Sequence, residues 1–484
     1  MKPQLSRRDW LRRSAGGFGM LALVDLLARD GALGGQAGLD RSWKIEPIRV
    51  RRIIQLFMNG GVSQMDTFDY KPELEKRHDQ PFDPGERVEA ATSAPGKLMK
   101  SPFEFRRFGE SGRWVSSVFP ELAKRVDDLA FLMSVASKTN VHGPASYLMN
   151  TGFLLPGFPC FGAWVSHALG SERDNLPSFV VLPDPRGLPY NARGNFTAGF
   201  LPPDREGTVL DMSAPSPIPD LFADAEKSGT NHESIDPTSL MLLERQNRRH
   251  AATRSSDARL DARIATYELA ARLQLSAPEA LALDKESDAV RRLYGIDRPE
   301  TADFGRRCLL ARRLVERGVR FVQVWSGAGG PKDNWDNHSD IHTELPKIAR
   351  SVDAPIAGLL HDLKSRGLLD DTLVVFSTEF GRMPFTQGAT GRDHNGGTSI
   401  AWLAGAGIRA GVAHGASDDW SWRSREGRVD CHDLHATILH LMGIDHKRLT
   451  VRHNGIDRRL TDVHGRIIPE ILDRDPGVTP RRAS

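Results

Sequence analysis

Six almost wholly apolar runs of strand length limit what this chain can fold into: residues 53–58, 129–135, 178–182, 319–325, 372–377 and 400–404. Each is followed by loop residues and then by a helical pattern. Unbroken apolar strands have no face to give to water. Both faces must be covered, and alternation with helices makes the strands parallel. The spacing predicts a helix over Glu344–Arg366, where Leu345, Ile348, Val352, Ile356, Leu359, Leu360 and Leu363 share one stripe. Pro355 would kink this helix and Gly367 would end it. The expectation is an α/β fold, a mostly parallel sheet sandwiched by helices, as one domain over 46–472 with a tail over 473–484. Residues 236–300 read as a charged helical insertion on that domain, and 78–115 as long surface loops. Polar clusters follow the strands: Asn59 to Asp69, Asp333 to His342, Glu379 to Arg382 and Arg392 to Asn395. Ligands of open parallel sheets bind beyond the carboxyl ends of the strands, so these segments would build one site.

The first residues read as an address rather than as structure. Ser6-Arg7-Arg8-Asp9-Trp10-Leu11-Arg12 pairs two arginines with an aromatic and a leucine, and a small, apolar run follows from Ala15 to Ala28. Basic n-region followed by short h-region is the layout of a signal peptide, and the arginine pair looks like the twin-arginine form. Residues 1–45 are therefore taken as signal peptide and linker. Export in the folded state by the twin-arginine translocase, to the periplasm or beyond, is the expectation. The net charge of +3, with acids and bases nearly balanced, argues against a nucleic-acid partner. Cys160, Cys308 and Cys431 are an odd number without a CxxC pair, which reads as three separate buried thiols.

The C-terminal half resembles sulfatases and their relatives in the alkaline-phosphatase superfamily. The similarity runs through Gly367 to Gly381, then Gly396 to Ile408, then the helix-like stretch Asp433 to Ile444. Phe57 to Asp69, Trp335 to His338, Thr378 to Arg382 and Gly391 to His394 complete the pattern. Together with the twin-arginine start, this resembles a large family of exported, sulfatase-like bacterial proteins catalogued as a domain of unknown function. The resemblance implies the fold and brings no established activity.

It also implies where a site would lie. Superfamily enzymes hold a nucleophile beside one or two divalent cations. Their nucleophile segment is similar to His142-Gly143-Pro144-Ala145-Ser146, which places His142 in the nucleophile position and Ser146 at the family's arginine. No Cys or Ser stands there for a sulfatase's formylglycine. His142 is then a metal ligand, Ser146 a displaced nucleophile, or the histidine an ordinary loop residue. Glu379 and Phe380 replace the family's Asp-His pair. Glu379 remains an oxygen ligand, a helix cap or a partner of Arg382. Asp336 and His338, with His342 four residues on, and Asp393 with His394 stand where relatives bind metal or anion. Asn59 and Asp66 follow the first strand as further oxygen donors or as turn residues. Arg382 and Arg392 would hold an anionic ester through their planar forks. His432, His435, His440, His446 and His453 are taken as structural. The cofactor expected is a divalent cation (calcium, zinc or manganese), and the substrate a sulfate or phosphate ester on a small molecule or polysaccharide. The alternative is a non-catalytic relative that binds an anionic polysaccharide or a surface partner.

Overall fold

The computed structural model describes residues 42–88, 90, 94–172, 176–212 and 279–473, with a few isolated positions between 242 and 264. The chain divides into two units, 1–45 and 46–484. Only 42–45 of the first are described, so the signal segment lies outside the described residues. Most of the expected insertion at 236–300 and the tail after 473 lie outside them too.

Eleven strands position the site. Nine form the central sheet: β1 (Arg52–Met58), β2 (Ala130–Ala136), β3 (Phe179–Leu182), β4 (Thr208–Val209), β5 (Phe321–Ser326), β6 (Thr372–Ser377), β9 (Ser399–Gly405), β10 (Ala413–His414) and β11 (Val429–Asp430). β7 (Gly381–Gln387) and β8 (Gly391–Asn395) form a separate antiparallel hairpin. The central order is β10-β2-β9-β6-β1-β5-β3-β4, with β11 also on β2. β9 runs antiparallel to β2 and β6, and the other pairs are parallel. The apolar runs of the sequence are these strands, and six of the seven residues of β1 are buried.

Side chains alternate across a strand, so β1 feeds two cores. Ile54, Leu56 and Met58 join a cluster with Leu309 and Leu310 of α3 (Pro299–Glu316) and Ile348, Val352 and Ile356 of α4 (Ile341–Ser365). On the other face, Ile53 and Gln55 lie near Phe161 of α2 (Phe161–Leu169) and Leu434 and Ile438 of α5 (Cys431–Leu441). The helix predicted at 344–366 is α4. It starts three residues earlier, at Ile341, because the Asp340 carboxylate accepts from the His342 amide at 3.1 Å and caps it. Pro346 and Pro355 lie inside it, and all seven stripe residues are buried. The expected loop at 78–115 contains a hairpin instead, Phe105–Phe108 against Arg113–Ser116. The three cysteines are unpaired and buried. Among the described residues, no helix is long and apolar enough to cross a membrane.

Candidate metal centre

The carboxyl ends of β1, β2, β5 and β6 deliver polar residues to one place. After β2 the chain turns into α1 (His142–Thr151), whose first residue is His142. The loop after β5 carries Asp336 and His338, the turn after β6 carries Glu379, and the hairpin returns His394 on β8. One ligand atom from each of His142, Asp336, His338 and His394 lies within 4.8 Å of all the others. His338 Nε2 is 2.8 Å from Asp336 Oδ1, His394 Nε2 is 3.1 Å from it and His142 Nε2 is 3.2 Å from it. The Nε2 atoms of His338 and His394 are 2.7 Å apart.

What the outer nitrogens do decides the chemistry. His142 Nδ1 lies 2.7 Å from Glu379 Oε1, and His394 Nδ1 lies 2.9 Å from the Asn140 carbonyl. His338 Nδ1 bonds the amide oxygen of Gln387. All three partners are acceptors, so in the neutral form of each ring Nδ1 carries the hydrogen and Nε2 presents a lone pair. Three lone pairs and a carboxylate oxygen, acceptors all, thus converge with no hydrogen between them. Among the described residues His142 Nε2 is buried without a well-aligned hydrogen-bond partner, although Asp336 Oδ1 lies 3.2 Å away. Such a cluster of acceptors is stable around a cation. Histidines pinned through the far nitrogen are how proteins orient metal ligands.

Packing holds the rings in place. Tyr190 stacks on His142 at 4.3 Å and 6°, and Phe380 lies 4.8 Å from both His142 and His394. Phe380 cannot bind metal, but it fills the space that fixes two residues that can. His338 is the most open of the four, with a quarter of its side chain exposed, and gives the cluster its access to solvent. Gly60 is required beneath it. Its φ is +121°, a Cβ would meet the Asp336 and Trp335 amides, and its own amide donates to Glu379 Oε1 at 2.8 Å.

Electrostatics follow this geometry. Burial disfavours charge on Asp336, but the Arg382 guanidinium and the three histidines outweigh it and hold its carboxyl far below the usual range. Burial likewise opposes charge on His142, yet the Asp336 and Glu379 carboxylates beside it raise its pKa overall. Burial, helped by Arg382 and His142, pushes His394 down to about 4 and keeps it neutral, as a ligand must be.

Several candidates are not part of this cluster. Arg382 and Arg392 are fully buried and already engaged, so neither is a free fork for an anion. Arg382 donates to Asp336 and to the carbonyls of Gly60, Gly61, Trp335 and Arg392. Arg392 pairs with Asp66, which is equally buried, and with the carbonyls of Met99 and Met383. Asp66 is thereby removed from the cluster. Asn59 spends its amide on the carbonyls of Gly327 and Ala328, and its own backbone carbonyl accepts from Trp335. Ser146 lies a helical turn beyond His142, fully buried and donating to Asn195, which rules it out as an exposed nucleophile. Asp393 accepts the His394 amide at 2.7 Å and is not one of the four clustered residues. Glu379 touches the cluster only through His142. His342 is half exposed and pairs with Asp340. His432, His435 and His446 bond the Gly152 carbonyl, the Met149 carbonyl and Thr461. Gln387, Asn140 and Tyr190 escape sequence reading. They are ordinary residue types whose roles arise only from tertiary contact.

The fold and this cluster define the molecule as an α/β protein with a histidine-rich group beyond the strand ends that could hold a cation. The chain matches the family described as "Protein of unknown function (DUF1501)" over residues 50–472, and it belongs to that family. No curated protein matches it. Similar solved structures include a lipoteichoic acid synthase from Listeria monocytogenes, 11% identical over 86% of this chain and 74% of that one, with a TM-score of 0.34. A sulfatase from Pseudoalteromonas sp. is 13% identical over 88% and 70%, with a TM-score of 0.33. The alkaline phosphatase of the Antarctic bacterium TAB5 is 11% identical over 82% and 99%, with a TM-score of 0.35.

Proposed function

We propose that this chain is an exported, metal-dependent hydrolase of sulfate or phosphate esters. The observation that carries the reading is the convergence of three oriented Nε2 lone pairs on the Asp336 carboxylate. His142, Asp336, His338 and His394 would hold the cation. Three imidazoles and one carboxylate suit zinc or manganese, and they fit calcium poorly, because calcium takes six to eight oxygens. When bound, such a cation supplies Lewis acidity, which activates water and offsets the charge of an anionic ester. The chain's own residues do the rest. Glu379 keeps the His142 hydrogen on Nδ1. Arg382 fixes the orientation of Asp336. Tyr190 and Phe380 close the faces of His142 to water, so the ester approaches past His338.

The test is hydrolysis of 4-nitrophenyl sulfate and 4-nitrophenyl phosphate by the purified protein before and after chelation. The reading requires activity that chelation removes and zinc or manganese restores. A second reading, non-catalytic binding of an anionic polysaccharide, is favoured by the absence of a hydroxyl or thiol nucleophile among the four clustered residues. Retained metal with no turnover of either ester would select it.

Two further outcomes are expected. Glu379→Ala should weaken metal binding about 10- to 100-fold, the usual cost of losing the partner that orients a ligand. Competition with a chromophoric chelator measures it, and an unchanged affinity would remove Glu379 from the account. Replacing Arg7 and Arg8 by lysine should leave the protein in the cytoplasm, as cell fractionation would show. Unaltered export of that variant would contradict the twin-arginine assignment.

A further inference from the structure

We infer that the cavity opening beside Asp336 is a subsite for the hydroxyl-bearing part of the substrate, so that the ester is carried on a sugar. The inference rests on the hydrolase reading for its catalytic meaning, but not for its binding chemistry. The cavity measures about 520 Å³, within the range of small-molecule sites. Asp336 belongs both to its wall and to the histidine cluster, so a molecule lodged there reaches the cation position across one residue.

Among the described residues, two acceptors in the wall lack donors. Asn337 is 2% exposed, and its Oδ1 is buried with no hydrogen-bond partner. Glu344, on the first turn of α4, leaves Oε2 buried and unpartnered in the same way. Buried acceptors are costly to leave unmade, so a ligand that fits here brings donors. The Asn337 backbone is fixed at both ends, its amide donating to the Trp335 carbonyl at 3.1 Å and its carbonyl accepting from Arg392 at 3.0 Å. The side chain is therefore presented from a rigid frame.

Two of the three positive side chains of the wall are spent, and Lys332 is the third. Lys347 pairs with Asp333 at 3.0 Å, and Arg186 with Asp184 at 2.6 Å. With those two charges neutralised, and with two unpartnered acceptors and the carboxylates of Glu300, Asp336 and Glu344 in the wall, the cavity matches neutral hydroxyls better than a second anionic group. A polyol ring bearing one sulfate or phosphate, with the ester toward the histidines and the hydroxyls toward Asn337 and Glu344, satisfies both halves.

Ligand-observed NMR and calorimetric titration with methyl glycosides of glucose, galactose, mannose, fucose and N-acetylglucosamine test this, with the fully O-methylated glycosides as donor-free controls. At least one free glycoside should bind and its O-methylated form should not. Glu344→Ala, which leaves the histidine cluster untouched, should weaken that binding about tenfold or more. Binding should persist after chelation, so the result stands apart from the metal reading. The inference is overturned if no glycoside of the panel binds, if the methylated forms bind equally, or if Glu344→Ala binds as the parent does.

Discussion

Replacing Asp336 by asparagine should all but abolish metal binding while the chain stays folded. The substituted amide keeps the shape of the aspartate and an oxygen for the Arg382 guanidinium, which donates to Asp336 Oδ1 at 2.6 Å. Arg382 also retains its backbone acceptors, so no buried charge is left without contacts. What disappears is the negative charge around which three imidazoles gather. Removal of a hydrogen-bond partner of a ligand costs about 10- to 100-fold in affinity, and removal of the anionic ligand itself should cost at least about 100-fold. Chelator competition measures the affinity, and circular dichroism checks the fold. An affinity within a few-fold of the parent would show that Asp336 is held by Arg382 alone and has no part in cation binding.

Replacing Arg392 by alanine should damage the protein in another way. The Arg392 and Asp66 side chains are both fully buried, and the pair is bidentate, with Nε and Nη2 on the two carboxylate oxygens. Exposed ion pairs contribute little, but removal of one member of a buried pair strands the other charge in a medium that solvates it poorly. The cost is about 3–5 kcal/mol. Urea unfolding should show a loss of that order, a large part of a typical domain's stability. A loss below about 1 kcal/mol would mean that Asp66 finds another partner, and would reopen a free anion-binding role for Arg392.

These two residues also show where the sequence stops being legible. The strands could be read because each is an unbroken apolar run, and β1, β5 and β6 are buried on both faces as such runs require. α4 could be read because its stripe repeats at the helical period. The hairpin β7–β8 could not, because Gly381 to Asn395 is rich in polar residues that look like loop and are nonetheless mostly buried. Placement of the site followed from topology. Asp336 and His338 stand beyond a strand end of the sheet, and the β7–β8 hairpin returns His394 to them. The arginines were misread for a physical reason. A guanidinium in a sequence carries no mark of whether it will be solvated, and only the fold shows that Arg382 and Arg392 are walled in by carbonyls. His342 misled in the opposite sense. Its spacing from His338 suggests a cluster, but Asp340 starts α4 between them and turns His342 outward.

The central claim is that four residues from three separate segments of the chain hold one divalent cation. Metal analysis by inductively coupled plasma mass spectrometry on the protein purified without chelator tests it most directly. The account predicts about one equivalent of zinc or manganese per chain, lost together in His338→Ala and His394→Ala. A protein that is metal-free as isolated, and takes up neither metal when incubated with it, would contradict the account.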